Sequence, residues 1–290
     1  MPDVPSLDLQ KIQPLIETAL EEDVGDGDIT TLWTVSETAA ARAELIAKAP
    51  GVVAGLGVAA AVFDAVDSAI VFDARISDGS RVAPGEALAE ISGPARGILT
   101  GERTALNFLQ RMSGIATMTA QYVDAAHGTG TRILDTRKTA PGLRSLDKYA
   151  VAAGGGQNHR MGLYDMVLLK ENHIEAADGI GPAVLTARSA MARAGRSVKI
   201  EVEVKTLREL EDAIAVRADW VMLDNMDAET MRIASERVRA LGPGRPLLEA
   251  SGNVTLETVR DVAETGVDLV SIGALTHSVK ALDLSLLFRA

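Results

Sequence analysis

The sequence predicts an α/β protein in two parts: an N-terminal α+β region and a C-terminal region of parallel strand–helix units. Three observations carry this reading. Over residues 42–98, short apolar runs are separated by turn residues, the pattern of antiparallel strands. From residue 131 onward, strand-like runs alternate with helical patterns at roughly 20- to 35-residue spacing, as parallel strands with crossover helices require. Those later runs repeatedly end in polar or charged residues, and that is the end where parallel α/β folds build their sites. A length of 290 residues suits one large domain or two modest ones.

Taken in order, LDLQKIQPLIETALEED places Leu9, Ile12, Leu15, Ile16 and Leu20 at helical spacing, with Pro14 disturbing its first turns. DVGDGDITT reads as a loop. RAELIAKA, GVVAG, AIVFDARI and GEALAEISG read as strands, and AGLGVAAAVFDAV between them as a helix. A long helix is expected over about 101–126. The later strands are TRILD (131–135), DMVLLK (165–170), VKIEVE (198–203), DWVML (219–223), PLLEA (246–250) and VDLVSI (267–272). Six such units fit a barrel, closed or open, or a doubly wound sheet. The runs lead into Asp135 with Thr136, Arg137 and Lys138, then Lys170, Glu203, Asp224, Ser251 and Gly273. In KIEVEV, alternation puts Lys199, Glu201 and Glu203 on one face. Because buried charge needs a partner, Lys199 is expected to pair with Glu201, leaving Glu203 at the rim.

The composition, 47 % hydrophobic and 24 % charged, supports a core without covalent staples. There are no cysteines, which excludes disulfides and thiolate metal sites and fits a reducing cytoplasm. The first fifteen residues have no signal-peptide pattern, and no apolar run of about 18 residues predicts a membrane span. A net charge of -11 disfavours nucleic acid and anionic membrane as partners. Against that background, residues 132–170 hold seven bases (Arg132, Arg137, Lys138, Arg144, Lys148, Arg160, Lys170) and three acids (Asp135, Asp147, Asp165). Such a cluster in an acidic chain points to a small, concentrated anion. Arginine offers a planar fork for carboxylate or phosphate and lysine a point charge.

The remaining motifs are weaker. GLGVAA (55–60) fits a dinucleotide fingerprint but lacks its βαβ context. GDGD (25–28) lacks the other ligands of a calcium loop. The histidines at 127, 159, 173 and 277 form no zinc-binding spacing. His159, beside Arg160, is equally compatible with function and with a local hydrogen bond, and His173 sits where it can support a strand end. GGG (154–156) serves either a helix stop or an anion contact. Arg103, Asn107 and Gln110 form a polar stripe, read as a solvent face, a site lining or a subunit contact.

DTRKTAPGLR, KYAVAAGGGQNHRMGLYDMVLLKENHI, EVEV, MLDN, ASGN and SIGALTHS, with EEDVGDGDITT and TGERTALNFLQRMSGIAT before them, together resemble the quinolinate phosphoribosyltransferase family. The resemblance covers nearly the whole chain. It implies an N-terminal α/β sandwich over 1–115, with the tail 276–290 packing on it, and an open α/β barrel over 116–275. It implies a cytoplasmic, magnesium-dependent enzyme acting on quinolinate and phosphoribosyl pyrophosphate, and a homodimer able to assemble further. By motif, Arg137, His159 and Arg160 would hold the two quinolinate carboxylates, with Arg103 contributed across the dimer interface, and Thr136 would belong to the same substrate site. Lys138 and Lys170 would meet phosphate or carboxylate. Glu203 and Asp224 would position the ribose hydroxyls and Mg2+-pyrophosphate. Ser251, Gly252, Asn253, Gly273 and Ala274 would cradle the 5′-phosphate. The alternative on the same scaffold is a paralogous phosphoribosyltransferase acting on another ring carboxylate, against which the intact TRK and NHR motifs argue. Two further readings are a non-catalytic anion-binding protein, which leaves the acids at Glu203 and Asp224 without a purpose, and a Schiff-base aldolase using Lys170, which leaves the arginines without one.

Overall fold

The computed structural model describes residue 4 and residues 6–289. Residues 1–3, 5 and 290, which the expected N-terminal domain and tail include, lie outside them. The chain divides into two compact units. The first comprises residues up to Ala120, Thr139–Gly155 and Leu275 onward, and the second Gln121–Lys138 and Gly156–Ala274. Residues 139–155, placed by the sequence within a continuous 116–275 segment, thus cluster with the first unit.

The first unit begins with α1 (Leu9–Val24). Pro14 lies inside it, and the helix persists because Ile12 and Ile16 are buried on one face. The expected loop DVGDGDITT gives way to α2 (Ile29–Thr34). Asp28 Oδ1 accepts the Thr31 N–H at 3.0 Å, an N-cap that turns ITT into a helical start. Next come β1 (Ala40–Ala47), β2 (Gly51–Val52), α3 (Leu56–Val66), β3 (Val71–Ala74), β4 (Arg81–Val82) and β5 (Ala87–Pro94). Helix α4 (Ala95–Ala125) starts ahead of the expected Gly101, directly after β5. Its glycines serve packing: a Cβ on Gly97 would lie 2.9 Å from Ile70 Cδ1. Helix α5 (Arg144–Ala153), α11 (Ala274–His277) from its second residue onward and β12 (Leu284–Arg289) complete the elements of this unit.

The antiparallel sheet has the order β12-β1-β5-β3. The C-terminal tail enters it by pairing Ala43 with Phe288 through Ala47 with Leu284. Alternation in β1 buries Ala43, Leu45 and Ala47. It leaves Arg42 and Glu44 on the other face, where Glu44 pairs with Arg75 and Arg289.

The second unit holds β6 (Arg132–Leu134), β7 (Val167–Leu169), α6 (Glu171–Ala176), α7 (Ile180–Arg193), β8 (Ile200–Val204), α8 (Leu207–Ala215), β9 (Trp220–Asp224), α9 (Ala228–Ala240), β10 (Leu247–Ser251), α10 (Val259–Ala263) and β11 (Leu269–Ser271). All six expected strands form, and every pairing among them is parallel. Their order is β6-β11-β10-β9-β8-β7. Strands run in sequence, and the first pairs with the last, so there is no reversal of order as in a doubly wound sheet. This is barrel order, left open between β6 and β7. One face of the sheet is apolar and fully buried: Ile200, Val202, Val204, Val221, Leu223, Leu248, Ala250 and Val270. By alternation the opposite face bears Glu201, Glu203, Trp220, Met222, Asp224, Glu249, Ser251 and Ser271.

Candidate active site

The polar face of the second unit's sheet collects chemistry at its carboxyl end. Register places Ser251 beside both Asp224 and Ser271, and Glu203 lies one strand over from Asp224, on β8. Lys170, just past β7, has its Nζ 2.8 Å from Glu203 Oε2. His173 Nδ1 accepts the Lys170 N–H at 3.1 Å, fixing the chain where that strand ends. Lys205, which the sequence reading passed over, follows β8 and pairs with Glu171 at 2.5 Å. Its ammonium is held above its ordinary value, first by Glu171, with Asp224 and Glu203 adding to the effect. An open cavity of about 510 Å³ is lined by Glu203, Glu171, Lys205 and Glu209.

After β6, Thr136 Oγ1 accepts the Lys138 N–H at 3.0 Å and shapes the turn that carries Arg137 and Lys138. Arg137 Nε is buried without a hydrogen-bond partner. Arg160 donates from Nη1 to the Met166 carbonyl at 3.2 Å. Burial first, and the Arg137 charge second, lower the Arg160 guanidinium from its ordinary value, while Glu201 and Asp165 act the other way. Of the seven bases counted in 132–170, the structure assigns Arg144 and Lys148 to α5 in the first unit, where Lys148 is 1 % exposed. Arg132 opens β6, at the opposite end of the strand, near Gln157. Arg137, Lys138, Arg160 and Lys170 are the bases left in the second unit's loops. Arg103 lies exposed on α4 in the first unit, and Gln110 of the same stripe donates to the Leu284 carbonyl at 2.9 Å.

Beneath the basic residues lies a buried acidic floor. His159 is 8 % exposed, and Glu201 and Glu249 are fully buried. His159 Nε2 lies 2.9 Å from Glu201 Oε2 and 3.6 Å from Glu249 Oε2. Burial pushes both carboxyls up, to about 8; the Glu201 charge pushes Glu249 further, and Arg160 opposes the rise at Glu201. Two adjacent buried carboxylates do not both ionise, so this pair holds a proton near neutrality. The expected Lys199–Glu201 pair does not form. Lys199 precedes β8, is exposed, and reaches Asp219 at 3.3 Å. The face of Glu201 was legible from alternation, but its partner was not. Glu249 escaped the sequence reading altogether. The signal was an acid inside the apolar run PLLEA, two residues before Ser251.

At the ends of β9 and β10 the backbone is held in unusual shape. Asn225 and Asn253 have φ of 53° and 48°, a region asparagine tolerates better than most residues. Asn225 Nδ2 donates to Asp224 Oδ1 at 3.0 Å, and Asn253 Nδ2 to Asn225 Oδ1 at 3.3 Å. Gly252 has φ 110°, and a Cβ there would fall 2.1 Å from Asn225 Oδ1. Asn225 was not singled out from sequence. It braces Asp224 and sits where only glycine fits opposite. Gly273 and Ala274 follow β11, both partly exposed.

Comparison with known proteins agrees over both units. Residues 28–113 match the N-terminal domain of quinolinate phosphoribosyl transferase and residues 115–287 its C-terminal domain. The chain is 46 % identical to the chloroplastic carboxylating nicotinate-nucleotide pyrophosphorylase of Oryza sativa, covering 97 % of this chain and 78 % of that one. It is 44 % identical to the probable carboxylating nicotinate-nucleotide pyrophosphorylase of Bacillus subtilis, covering 95 % and 93 %. The crystal structure of NadC from Streptococcus pyogenes superposes with a TM-score of 0.91 at 40 % identity, covering 99 % of this chain and all of that one. With both domains matched in order and an identity well beyond a shared fold, the chain belongs to the quinolinate phosphoribosyltransferase family.

Proposed function

We propose that the protein is a decarboxylating quinolinate phosphoribosyltransferase of de novo NAD biosynthesis. It joins quinolinate to phosphoribosyl pyrophosphate and yields nicotinate mononucleotide, pyrophosphate and carbon dioxide. Beyond family membership, one observation supports this most: Arg137 keeps a buried Nε without a protein partner beside the like-charged Arg160. Two guanidinium groups so placed gain from a ligand with two carboxylates. Quinolinate is such a ligand.

In this reading Arg137 and Arg160 grip the ring carboxylates, supported by the Thr136 turn, and Lys138 and Lys170 meet phosphate or carboxylate. Each charge-assisted contact is worth roughly 1.5–3 kcal/mol. Ser251, Gly252, Asn253, Gly273 and Ala274 cradle the 5′-phosphate. Glu203 and Asp224 hold the ribose hydroxyls. They also fit Mg2+, since they offer hard oxygen donors at the ends of adjacent strands. Held there with pyrophosphate, Mg2+ would supply positive charge for the departing group. The ring nitrogen attacks the ribose carbon as its bond to pyrophosphate breaks. The ring is then a pyridinium, which stabilises the electron pair left at C2 when carbon dioxide leaves, and C2 takes up a proton. The protein orients the partners and excludes water, and no covalent nucleophile is needed. The residue set completes as a homodimer in which Arg103 of one subunit joins the partner's site. The expected location is the cytoplasm, which cell fractionation checks; among the described residues no helix is long and apolar enough to cross a membrane.

The decisive experiment incubates the protein with quinolinate, phosphoribosyl pyrophosphate and magnesium, with nicotinate in parallel, and follows nicotinate mononucleotide by mass spectrometry. Product from quinolinate alone is expected; product from nicotinate alone, or from neither, overturns the assignment. Arg137→Ala is expected to abolish quinolinate binding in calorimetry with the fold intact, and unchanged affinity removes it from the site. Arg103→Ala and Lys138→Ala chains, each inactive, are expected to regain activity when mixed, because a hybrid dimer contains one unaltered site. No recovery after confirmed subunit exchange refutes the shared site.

A further inference from the structure

The segments that leave β7 and β8 are tied to each other twice, in a crossed pattern. Lys170, just past β7, reaches Glu203 on β8, with Nζ 2.8 Å from Oε2. Lys205, just past β8, reaches back to Glu171, the first residue of α6, with Nζ 2.5 Å from Oε2. Lys170 and Glu203 have parts in the reading above. Lys205 and Glu171 have none.

Alternation along β8 runs from Glu201 through Glu203 to Lys205, so the lysine leaves the chain on the side of the polar face. The charges of Glu203 and Asp224 both act on its ammonium, and Lys205 lines the same open cavity of about 510 Å³ as Glu203. The root of the side chain is fixed. The Lys205 main-chain N–H donates to Glu209 Oε2 at 2.6 Å, and Thr206 Oγ1 caps α8 by accepting the Glu209 N–H at 3.2 Å. Its head is not fixed in the same way, because the side chain of its partner Glu171 is 66 % exposed. An exposed ion pair holds its members weakly, so the ammonium can exchange Glu171 for a stronger anion.

Two other readings fit less well. A plain surface tie accounts for the ion pair but not for an ammonium placed within the field of Glu203 and Asp224. A cation held by the cavity's acids is the second. Glu209 is spent on the Lys205 amide, and Glu171 and Glu203 each hold a lysine. Among the described residues, no three ligand atoms of this cavity lie close enough together to share one ion.

We propose that Lys205 is a ligand of the pyrophosphate group, exchanging Glu171 for phosphate oxygens when phosphoribosyl pyrophosphate binds. This rests on the reading that Glu203 and Asp224 stand at the ribose and the pyrophosphate. Two acids so near a polyanion need cations around them, and Lys205 supplies one from the same strand as Glu203. As the bond from ribose to pyrophosphate breaks, its electron pair stays on the departing oxygen. A lysine ammonium at that group gains strength as the charge grows.

The test is calorimetry on the full-length protein with inorganic pyrophosphate and Mg2+ as the probe, at one ionic strength. Quinolinate affinity is measured on the same samples. Lys205→Met is expected to weaken pyrophosphate binding about tenfold, the loss of one charge-assisted contact, and to leave quinolinate affinity unchanged. Glu171→Gln is expected to tighten pyrophosphate binding, and to do so less on the Lys205→Met background, because Glu171 competes through the lysine. Unchanged pyrophosphate affinity in Lys205→Met overturns the proposal. So does a parallel loss of quinolinate affinity, which marks a general disturbance of these segments. Equal tightening by Glu171→Gln in both backgrounds overturns the exchange, since Glu171 then acts by its charge alone. The two readings fail separately. A parent protein that binds neither quinolinate nor pyrophosphate overturns the phosphoribosyltransferase assignment, whereas a parent that binds both, beside an indifferent Lys205→Met, overturns the role of Lys205 only.

Discussion

Each compact unit buries charge, and the two do so in opposite ways. In the first, Arg111 grips the fully buried Asp147 through two parallel hydrogen bonds of 3.0 and 2.8 Å, and the Ala140 N–H adds a third at 3.1 Å. One cation meets one anion, and α5 is thereby fastened to α4. In the second, two buried glutamates share a floor with His159, and Arg160, whose charge favours the ionised form of Glu201, belongs to the basic loops. A matched pair can only be made or broken. An acid-rich cluster responds to what sits over it, because its protonation depends on the charges nearby. The first arrangement builds structure; the second is the kind found at sites.

Breaking the matched pair has the largest expected effect. Arg111→Ala strands Asp147 as an uncompensated buried charge, and a loss of about 3–5 kcal/mol is expected in urea unfolding. A loss below about 1 kcal/mol would show that the pair is not the fastening described. Next comes the turn that follows β10. Gly252→Ala places a methyl against Asn225 and strains a φ of 110°; a cost of about 1–3 kcal/mol and a raised KM for phosphoribosyl pyrophosphate are expected. An unaltered KM would take this turn out of the phosphate cradle.

The acidic floor itself is best read through pH. Glu201 and Glu249 have folded values raised from 4.5 to about 8, so the folded protein binds protons that the unfolded chain has released. Their contribution is fully present below about pH 4.5 and is lost as pH rises toward 8. Glu249→Gln keeps the size of the protonated acid and cannot ionise. Its stability relative to the parent should therefore improve between pH 5 and 8, by up to about 1.4 kcal/mol per pH unit, in parallel thermal melts. A constant difference across that range would mean that Glu249 is ionised throughout. The smallest effect is expected for Lys199→Ala, which removes an exposed pair worth about 0–1 kcal/mol. A loss beyond 2 kcal/mol would revive a link to Glu201.

The residues that sequence reading placed well share a local signature. Lys170, Glu203, Asp224 and Ser251 each stand directly after an apolar run, and strand ends in a parallel sheet need no knowledge of partners. Those it placed less well depend on partners. Lys148 was counted with the basic cluster, yet it lies in the first unit with α5. Glu249 was hidden inside a strand because an acid in an apolar run reads as noise until another buried group faces it. Asn225 gains its meaning only from Gly252 and Asp224.

By itself the sequence determined the parallel strand–helix rhythm, the antiparallel N-terminal sheet and the family motifs. These follow from periodicity and spacing, which act over a few residues and survive without tertiary contacts. Tertiary structure decided what local pattern left open. Pairing of β6 with β11 fixes barrel order over a doubly wound sheet, which periodicity did not distinguish and only the family resemblance implied. The register of the C-terminal tail on β1, from Ala43 with Phe288 to Ala47 with Leu284, is likewise set by pairing. Glu201 faces the His159 ring and not the expected Lys199. In each case the deciding contact joins residues far apart in the chain, and no local preference encodes which distant partner a strand edge or a ring nitrogen will meet.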